Sequence, residues 1–369
     1  MTLERLNEQN GIDSAVHHHV EAVLRRYLTE RRADLPELAQ TFATAVDTLS
    51  DFALRGGKRI RPTFAWWGWR AAGGAASGPD AEAVLTAVSA LELIQTCALV
   101  HDDLMDASEL RRGNPTVHVR FAEAHRAGAW LGEPERFGMA AAILLGDLAL
   151  AWADDMFTGA PLSEDMRQAA RAPWLAMRAE MFAGQYLDVL AQAEGDESED
   201  RALGVARLKT AAYTVERPLH MGVALAGAEA DTITAVRRFG TDIGVAFQLR
   251  DDLLGVYGDT EVTGKPAGDD LREGKRTLLV SLGLRYAEAA GRHADAKLLR
   301  GALGDPNLKR HTVEQVRALL VEVGAVDELE RRIETLTTSG MAALDAAGLA
   351  EPGRTRLADL AIAATRRDR

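Results

Sequence analysis

CALVHDDLMD, residues 97–106, closes a helix-patterned stretch that opens at Pro79-Asp80. Apolar or small side chains at Val84, Val88, Leu91, Ala98 and Leu99 recur through it at helical spacing. Asp102 and Asp106 are four apart, so on a helix both carboxylates point to one side. Like charges at that spacing repel, and a divalent cation reverses the sign of the interaction. Asp103 lies off that face and orients ligands from behind. A second acidic pair, Asp251-Asp252, stands in FQLRDDLLGVYGD, residues 247–259, in equally apolar surroundings. Adjacent carboxylates are costly to bury unless a hard cation takes up their charge. Two such sites facing one cavity read as a clamp that grips a polyanion through bridging metal ions. The bland alternative for the first pair is a solvated helix end.

Outward from these sites the patterning stays helical. Alanine, leucine, glutamate and arginine abound, and alternating β-branched runs are nearly absent. Apolar stretches over 138–157 and 171–193, and helical patterns over 201–224, 231–257, 327–347 and 353–366, predict long helices. Residues 121–137, with Gly128, Gly132 and Pro134, read as a helix end and a surface excursion. Residues 195–200 read as a polar loop and 258–275 as a glycine-rich, charged one. Thr312 with Gln315 reads as a capping box, and Gly324 as the end of that helix. There is no solenoid-length repeat and no long proline- or serine-rich linker. Residues 1–369 therefore read as a single all-α domain, with its motifs over about 50–285 and C-terminal helices over about 290–366.

The 369 residues, 47% of them hydrophobic, suffice for one large helical domain. A net charge of −12 without a long basic run argues against nucleic acid as a partner. The single cysteine, Cys97, rules out an intrachain disulfide framework and fits a reducing cytoplasm. The charged N-terminal segment has no apolar signal region, and no stretch approaches the ~20 uncharged apolar residues of a membrane span. A cytoplasmic protein without stable membrane insertion is expected.

Cations cluster near the acidic sites. In LRRGNPTVH, Arg111 and Arg112 offer planar forks that suit phosphate oxygens, and two in tandem can serve two phosphate groups. In RGGKRIRP, residues 55–62, Gly56-Gly57 frees the backbone for close approach to an anion. Lys58, Arg59 and Arg61 then present cations just before Pro62. The spacing is not that of a Walker loop. Lys209-Thr210, Lys265 and Lys275 are ordinary singly, and together they surround one polyanion. Position 255, where a third aspartate would match the first site, is Gly255. Asp251 is thus the main ligand of a weaker cage, completed by Asp252 and waters. Trp66, Trp67, Trp69 and Asp154-Asp155 read as structural, His17–His19 as a solvated run. Asp269-Asp270 reads as a partner for a lysine or water rather than for a metal.

GGKRIRP, HDDLMD, RRGNPTVH, GQYLD, KTAAY, FQLRDDLLGVYGD and GKPAGDDLREGKRT stand in the order seen in trans-isoprenyl diphosphate synthases. Over about residues 50–285 the chain resembles that polyprenyl synthetase family. The resemblance implies an all-α bundle of ten or more helices around a deep central cavity, usually as a homodimer. It implies head-to-tail condensation of isopentenyl diphosphate with an allylic diphosphate (dimethylallyl, geranyl or farnesyl). Asp102, Asp106 and Asp251 would hold Mg²⁺ on the allylic diphosphate, three ions per site with Mn²⁺ as a substitute. Arg111, Lys209, Thr210, Gln248, Lys265 and Lys275 would surround the allylic substrate. Lys58, Arg61 and Arg112, helped by Gln95, would hold the isopentenyl diphosphate. Many relatives have histidine where this chain has Gln95, which can donate a hydrogen bond but carries no charge. Gly255 is the main departure, and Asp259 reads as structural.

Relatives that stop early place bulky aromatics four or five residues before the first aspartate. Here those positions are Ala98 and Cys97, with Ile94 and Leu91 deeper at ~5.4 Å per helical turn. The expected product therefore exceeds fifteen carbons. Geranylgeranyl diphosphate, with twenty, is the reading adopted; farnesyl or longer products are the alternatives. Met177, Met181 and Phe182 form a second candidate floor. A class I terpene cyclase would leave GGKRIRP and Arg112 without a use. A non-catalytic subunit of a heteromeric synthase has only Gly255 in its favour.

Overall fold

The computed structural model describes residues 11–36, 40–258 and 268–366. Its first half runs α1 (Val16–Ala33), α2 (Gln40–Leu54), α3 (Ile60–Ala71) and α4 (Pro79–Met105). A short antiparallel hairpin follows, β1 (Leu110–Arg111) with β2 (Asn114–Pro115), then α5 (Val117–Ala127), α6 (Pro134–Gly159) and α7 (Glu164–Glu194). Next come α8 (Glu199–Val205), a π-helical segment (Ala206–Glu216), α9 (Arg217–Leu225) and α10 (Ala230–Tyr257). The chain ends in α11 (Asp269–Glu273), α12 (Leu278–Ala289), α13 (His293–Ala302), α14 (Arg310–Glu322), α15 (Ala325–Ala346) and α16 (Gly353–Thr365). The all-α expectation holds.

Several boundaries move for local reasons. Pro134 opens α6 at its first turn, where its missing N–H costs nothing, so the helix starts before residue 138. The Ser198 hydroxyl accepts from the Arg201 N–H and starts α8 inside the segment read as a loop. Thr312 does not cap: it lies within α14, whose N-cap is Lys309. Gly324, at φ 81°, does follow the end of α14, in the left-handed conformation that favours glycine.

Two apolar clusters form the core, and α10 runs through both. Val236, Phe239 and Ile243 pack with the first half of the chain. Leu249, Leu253 and Val256 pack with α12 to α15. Helix α4 lies along α6 with most side chains between residues 81 and 100 buried. Contrary to the sequence expectation, α4 and α6 are both long and apolar enough to cross a membrane by length and composition. α4 is mostly buried in the bundle, and α6 only partly. The outer side of α6 exposes Met139, Ile143 and Leu144, and α7 exposes Leu175, Phe182, Tyr186 and Val189.

The π-helical segment was not foreseen. It is pressed between α7 and α10, and glycines make room for its wider backbone. A β-carbon at Gly184 of α7 would overlap the backbone of Lys209. One at Gly240 would lie 2.7 Å from the Glu216 Cα, and one at Gly244 2.7 Å from the Ala211 Cα. Bonding from residue i to i+5 widens each turn, so Lys209, Thr210, Tyr213 and Thr214 all reach the same side.

Candidate active site

A cavity of about 840 Å³ lies between α4, α7, the π-helical segment and α10. Asp102 from α4 and Asp251 and Asp252 from α10 line it together. The two acidic motifs, about 150 residues apart in sequence, therefore share one hollow.

Asp102 sits in a net of donors. Lys209 Nζ lies 2.8 Å from its Oδ1 and 2.6 Å from Oδ2 of Asp188. Gln185 Nε2 donates to the same Asp102 oxygen at 3.2 Å, and Arg111 reaches its other oxygen at 3.3 Å. Burial would push the Asp102 carboxyl up, but Lys209, Lys275 and Arg111 outweigh it and hold the group well below the usual carboxylate range. Asp103 is fully buried behind, where it accepts from Arg111 Nε at 2.7 Å and fixes that guanidinium.

Asp106 caps α4 with its side chain turned toward Lys275, 3.3 Å away. Its Oδ2 is buried without a hydrogen bond, and burial pushes the carboxyl up to about 6 against the pull of Lys275. Asp252 accepts from Gln248 Nε2 at 2.6 Å, and burial pushes it up to about 8 despite that bond, with Asp270 and Asp251 adding to the rise. Lys275 also pairs with Glu273 at 2.5 Å and Asp270 at 3.6 Å.

The tandem arginines part company at the hairpin. Arg112 and Gly113 form its two-residue turn at φ 52° and 72°, a left-handed pair that matches strand twist. Arg111 faces the aspartates. Arg112 donates to the Arg55 carbonyl at 3.0 Å and lies against Gly57, where an added β-carbon would come within 3.2 Å of its guanidinium. Arg61 is buried, donates to Thr214 Oγ1 at 2.8 Å and lies over the Tyr213 ring at 4.0 Å. Lys58 is exposed at the rim; Gln95, Thr210 and Gln248 line the same cavity.

Three expectations change. Arg59 does not present its cation: the guanidinium is buried against Glu92 at 2.7 Å. Cys97 and Ile94 are fully buried and do not line the cavity; Cys97 faces His101 at 3.8 Å. At about 100° per residue, Ala98 lies only about 40° around the helix from Asp102, whereas Cys97 lies about 140° away and Ile94 about 80°. Met177 is likewise core, so Ala98, Leu99, Met181 and Phe182 form the apolar wall. Lys265 and Asp259 lie outside the described residues. Residues that carried no assigned role also meet here: Gln185 and Asp188 of GQYLD, and Tyr213 and Thr214 of the π-helical segment; Asp270, read as a partner for a lysine or water, lines the cavity too and pairs with Lys275. The spacing of Gln185 and Asp188, one turn apart on a helix beside the acidic site, was the one available signal.

The polyprenyl synthetase profile matches residues 43–320. The chain is 35% identical over 280 residues to a geranylfarnesyl diphosphate synthase of Aeropyrum pernix, spanning 75% of this chain and 79% of that protein. It is 35% identical over 259 residues to a short chain isoprenyl diphosphate synthase of Methanothermobacter thermautotrophicus, 70% of this chain and 72% of that one. Among solved structures, a geranylgeranyl pyrophosphate synthase of Corynebacterium glutamicum, complexed with isoprenyl diphosphate and magnesium, superposes with a TM-score of 0.91. Identity there is 43%, over 95% of this chain and 98% of that one.

Proposed function

We propose, from the premise that this chain belongs to the polyprenyl synthetase family and is a prenyltransferase, that it extends allylic diphosphates with isopentenyl diphosphate to the twenty-carbon geranylgeranyl diphosphate. The observation that carries the reading is the shared cavity, acidic at Asp102 and Asp251 and ringed by Lys209, Lys275, Arg111, Arg112 and Arg61.

The donor set fits Mg²⁺. Asp106 turns a buried carboxylate oxygen that makes no hydrogen bond toward Lys275 at 3.3 Å, one turn of α4 beyond Asp102, where a hard cation could share its charge. Asp102, Asp106, Asp251 and Asp252 would hold the ions. When bound, Mg²⁺ supplies charge neutralisation at the diphosphate.

The chain's own groups do the rest. Lys209, Arg111 and Lys275 stabilise the charge that develops on the leaving diphosphate as the allylic C–O bond ionises. Arg61, Arg112, Lys58 and Gln95 hold isopentenyl diphosphate so that its π-bond attacks the cation. The adduct loses a proton to the departed diphosphate. Ala98, Leu99, Met181 and Phe182 surround the growing tail with apolar surface and keep water from the cation. Ala98 leaves the tail room one turn beyond Asp102, which favours twenty carbons over fifteen. The exposed apolar side chains Met139, Ile143 and Leu144 of α6 and Leu175, Tyr186 and Val189 of α7 support a homodimer.

Purified protein with Mg²⁺, labelled isopentenyl diphosphate and each allylic primer should yield a linear twenty-carbon diphosphate on chromatography. Arrest at fifteen carbons, or extension well past twenty, overturns the length assignment. Sedimentation as a monomer overturns the dimer.

A further inference from the structure

Arg59 is the middle cation of GGKRIRP, and it is held unlike its neighbours. Its φ of 48° is left-handed, a conformation unfavourable for a non-glycine residue. It persists because the guanidinium is fixed on three sides. Nη1 donates to Glu92 Oε2 at 2.7 Å and to the Ala53 carbonyl at 2.9 Å, and Nη2 to the Leu54 carbonyl at 3.1 Å. The Arg59 carbonyl accepts from Thr63 Oγ1 at 2.6 Å. One residue thus fastens the end of α2, the start of α3 and the middle of α4.

We propose that the buried Arg59–Glu92 pair is a positioning device for the isopentenyl end of the cavity. This rests on the reading given under Proposed function. Between α2 and α3, the loop carries Gly56 and Gly57 at φ 65° and 111°, residues with no intrinsic preference for one shape. Its geometry must come from its ends, and Arg59 is one of them. Arg61 follows two residues later in the cavity wall. Arg112 takes its place from the Arg55 carbonyl, within the same loop. Gln95 is one turn beyond Glu92 on α4. Lys58 and Arg61 are therefore tied to the pair through the backbone on either side of Arg59, Gln95 through one turn of α4 beyond Glu92, and Arg112 through its hydrogen bond to the Arg55 carbonyl. Lys209 and Asp188 on the allylic side hang from other elements, and Asp102, though on α4, lies ten residues beyond Glu92 and is held by Lys209, Gln185 and Arg111. A buried ion pair adds little net stability over apolar side chains of similar volume, so geometry is the better account of its presence.

The test is the double variant Arg59→Met/Glu92→Met, which leaves no unpaired buried charge. KM for isopentenyl diphosphate should rise about tenfold while kcat and KM for the allylic primer stay within about twofold. Glu92→Gln, which keeps the side-chain shape, should move the same KM in the same direction, and it decides the matter should the double variant fail to fold. Parental KM for isopentenyl diphosphate, or an equal rise in both KM values, overturns the proposal. Arg61→Gln serves as reference: if it leaves KM for isopentenyl diphosphate unchanged, the assignment of this end of the cavity fails, and the pair's role with it.

Discussion

Asp270 stands in the space that a side chain at Gly255 would need: a β-carbon there would overlap its carboxylate. Position 255 is one helical turn beyond Asp251, where a third aspartate of the second motif was expected. Asp270 lines the same cavity and pairs with Lys275. Gly255→Asp should therefore not improve the site. It brings two carboxylates together and obliges Asp270 to turn away from Lys275, and should cost about 1–3 kcal/mol in chemical unfolding. Adding Asp270→Ala should recover most of that loss. A Gly255→Asp protein as stable as the parent would show that the space is free.

Gly184 sets the contact between α7 and the π-helical segment, where a β-carbon would overlap the Lys209 backbone. Backbone cannot step aside as a flexible side chain can. Gly184→Ala should lower stability by about 2–4 kcal/mol and displace Lys209 from Asp102 and Asp188, lowering kcat about a hundredfold. Urea titration and steady-state kinetics read the two effects. Unchanged values for both would mean that the crossing relaxes without consequence.

Much of this site was legible because its groups recur at helical spacing or in short runs. Asp102 and Asp106 are four apart, and RRG and GGKR mark turns with their glycines. The long helices were legible from apolar periodicity. What stayed hidden depends on tertiary contact. No local pattern says that Arg59 finds Glu92 across 33 residues, or that Asp270 packs on Gly255. The π-helical segment has an ordinary helical composition, and its form follows from the helices pressed against it. Thr312 carried a cap signal, yet Lys309 starts the helix, because capping residues also occur inside first turns.

Product length separates two adjacent residues. Ala98 lines the cavity, and Cys97 is fully buried in the core and does not. Ala98→Phe should block the tail and shift the product toward fifteen carbons with the fold intact. Cys97→Phe should leave the product spectrum alone and instead destabilise the protein by about 1–3 kcal/mol through overpacking. Chromatography of reaction products with thermal unfolding of both variants checks this. Shortening by Cys97→Phe alone would reverse the assignment of the wall.

The acidic site also makes stability depend on pH and on metal. Burial lifts Asp106 to about 6 and Asp252 to about 8, against an ordinary value of 3.8. Between about pH 4 and those values the folded chain keeps protons that the unfolded chain has released, so stability falls as pH rises through that window. Asp102 acts in the opposite sense: its depressed pKa contributes stability that is present above its ordinary value and lost on acidification below it. A divalent cation competes with the protons on Asp106 and Asp252 and relieves the repulsion that grows as they leave. Melting of EDTA-treated protein should therefore drop between about pH 5 and 8, and Mg²⁺ should raise the midpoint more at about pH 8 than at about pH 6. Equal increments at both values would mean that these two carboxylates are not where the ion binds.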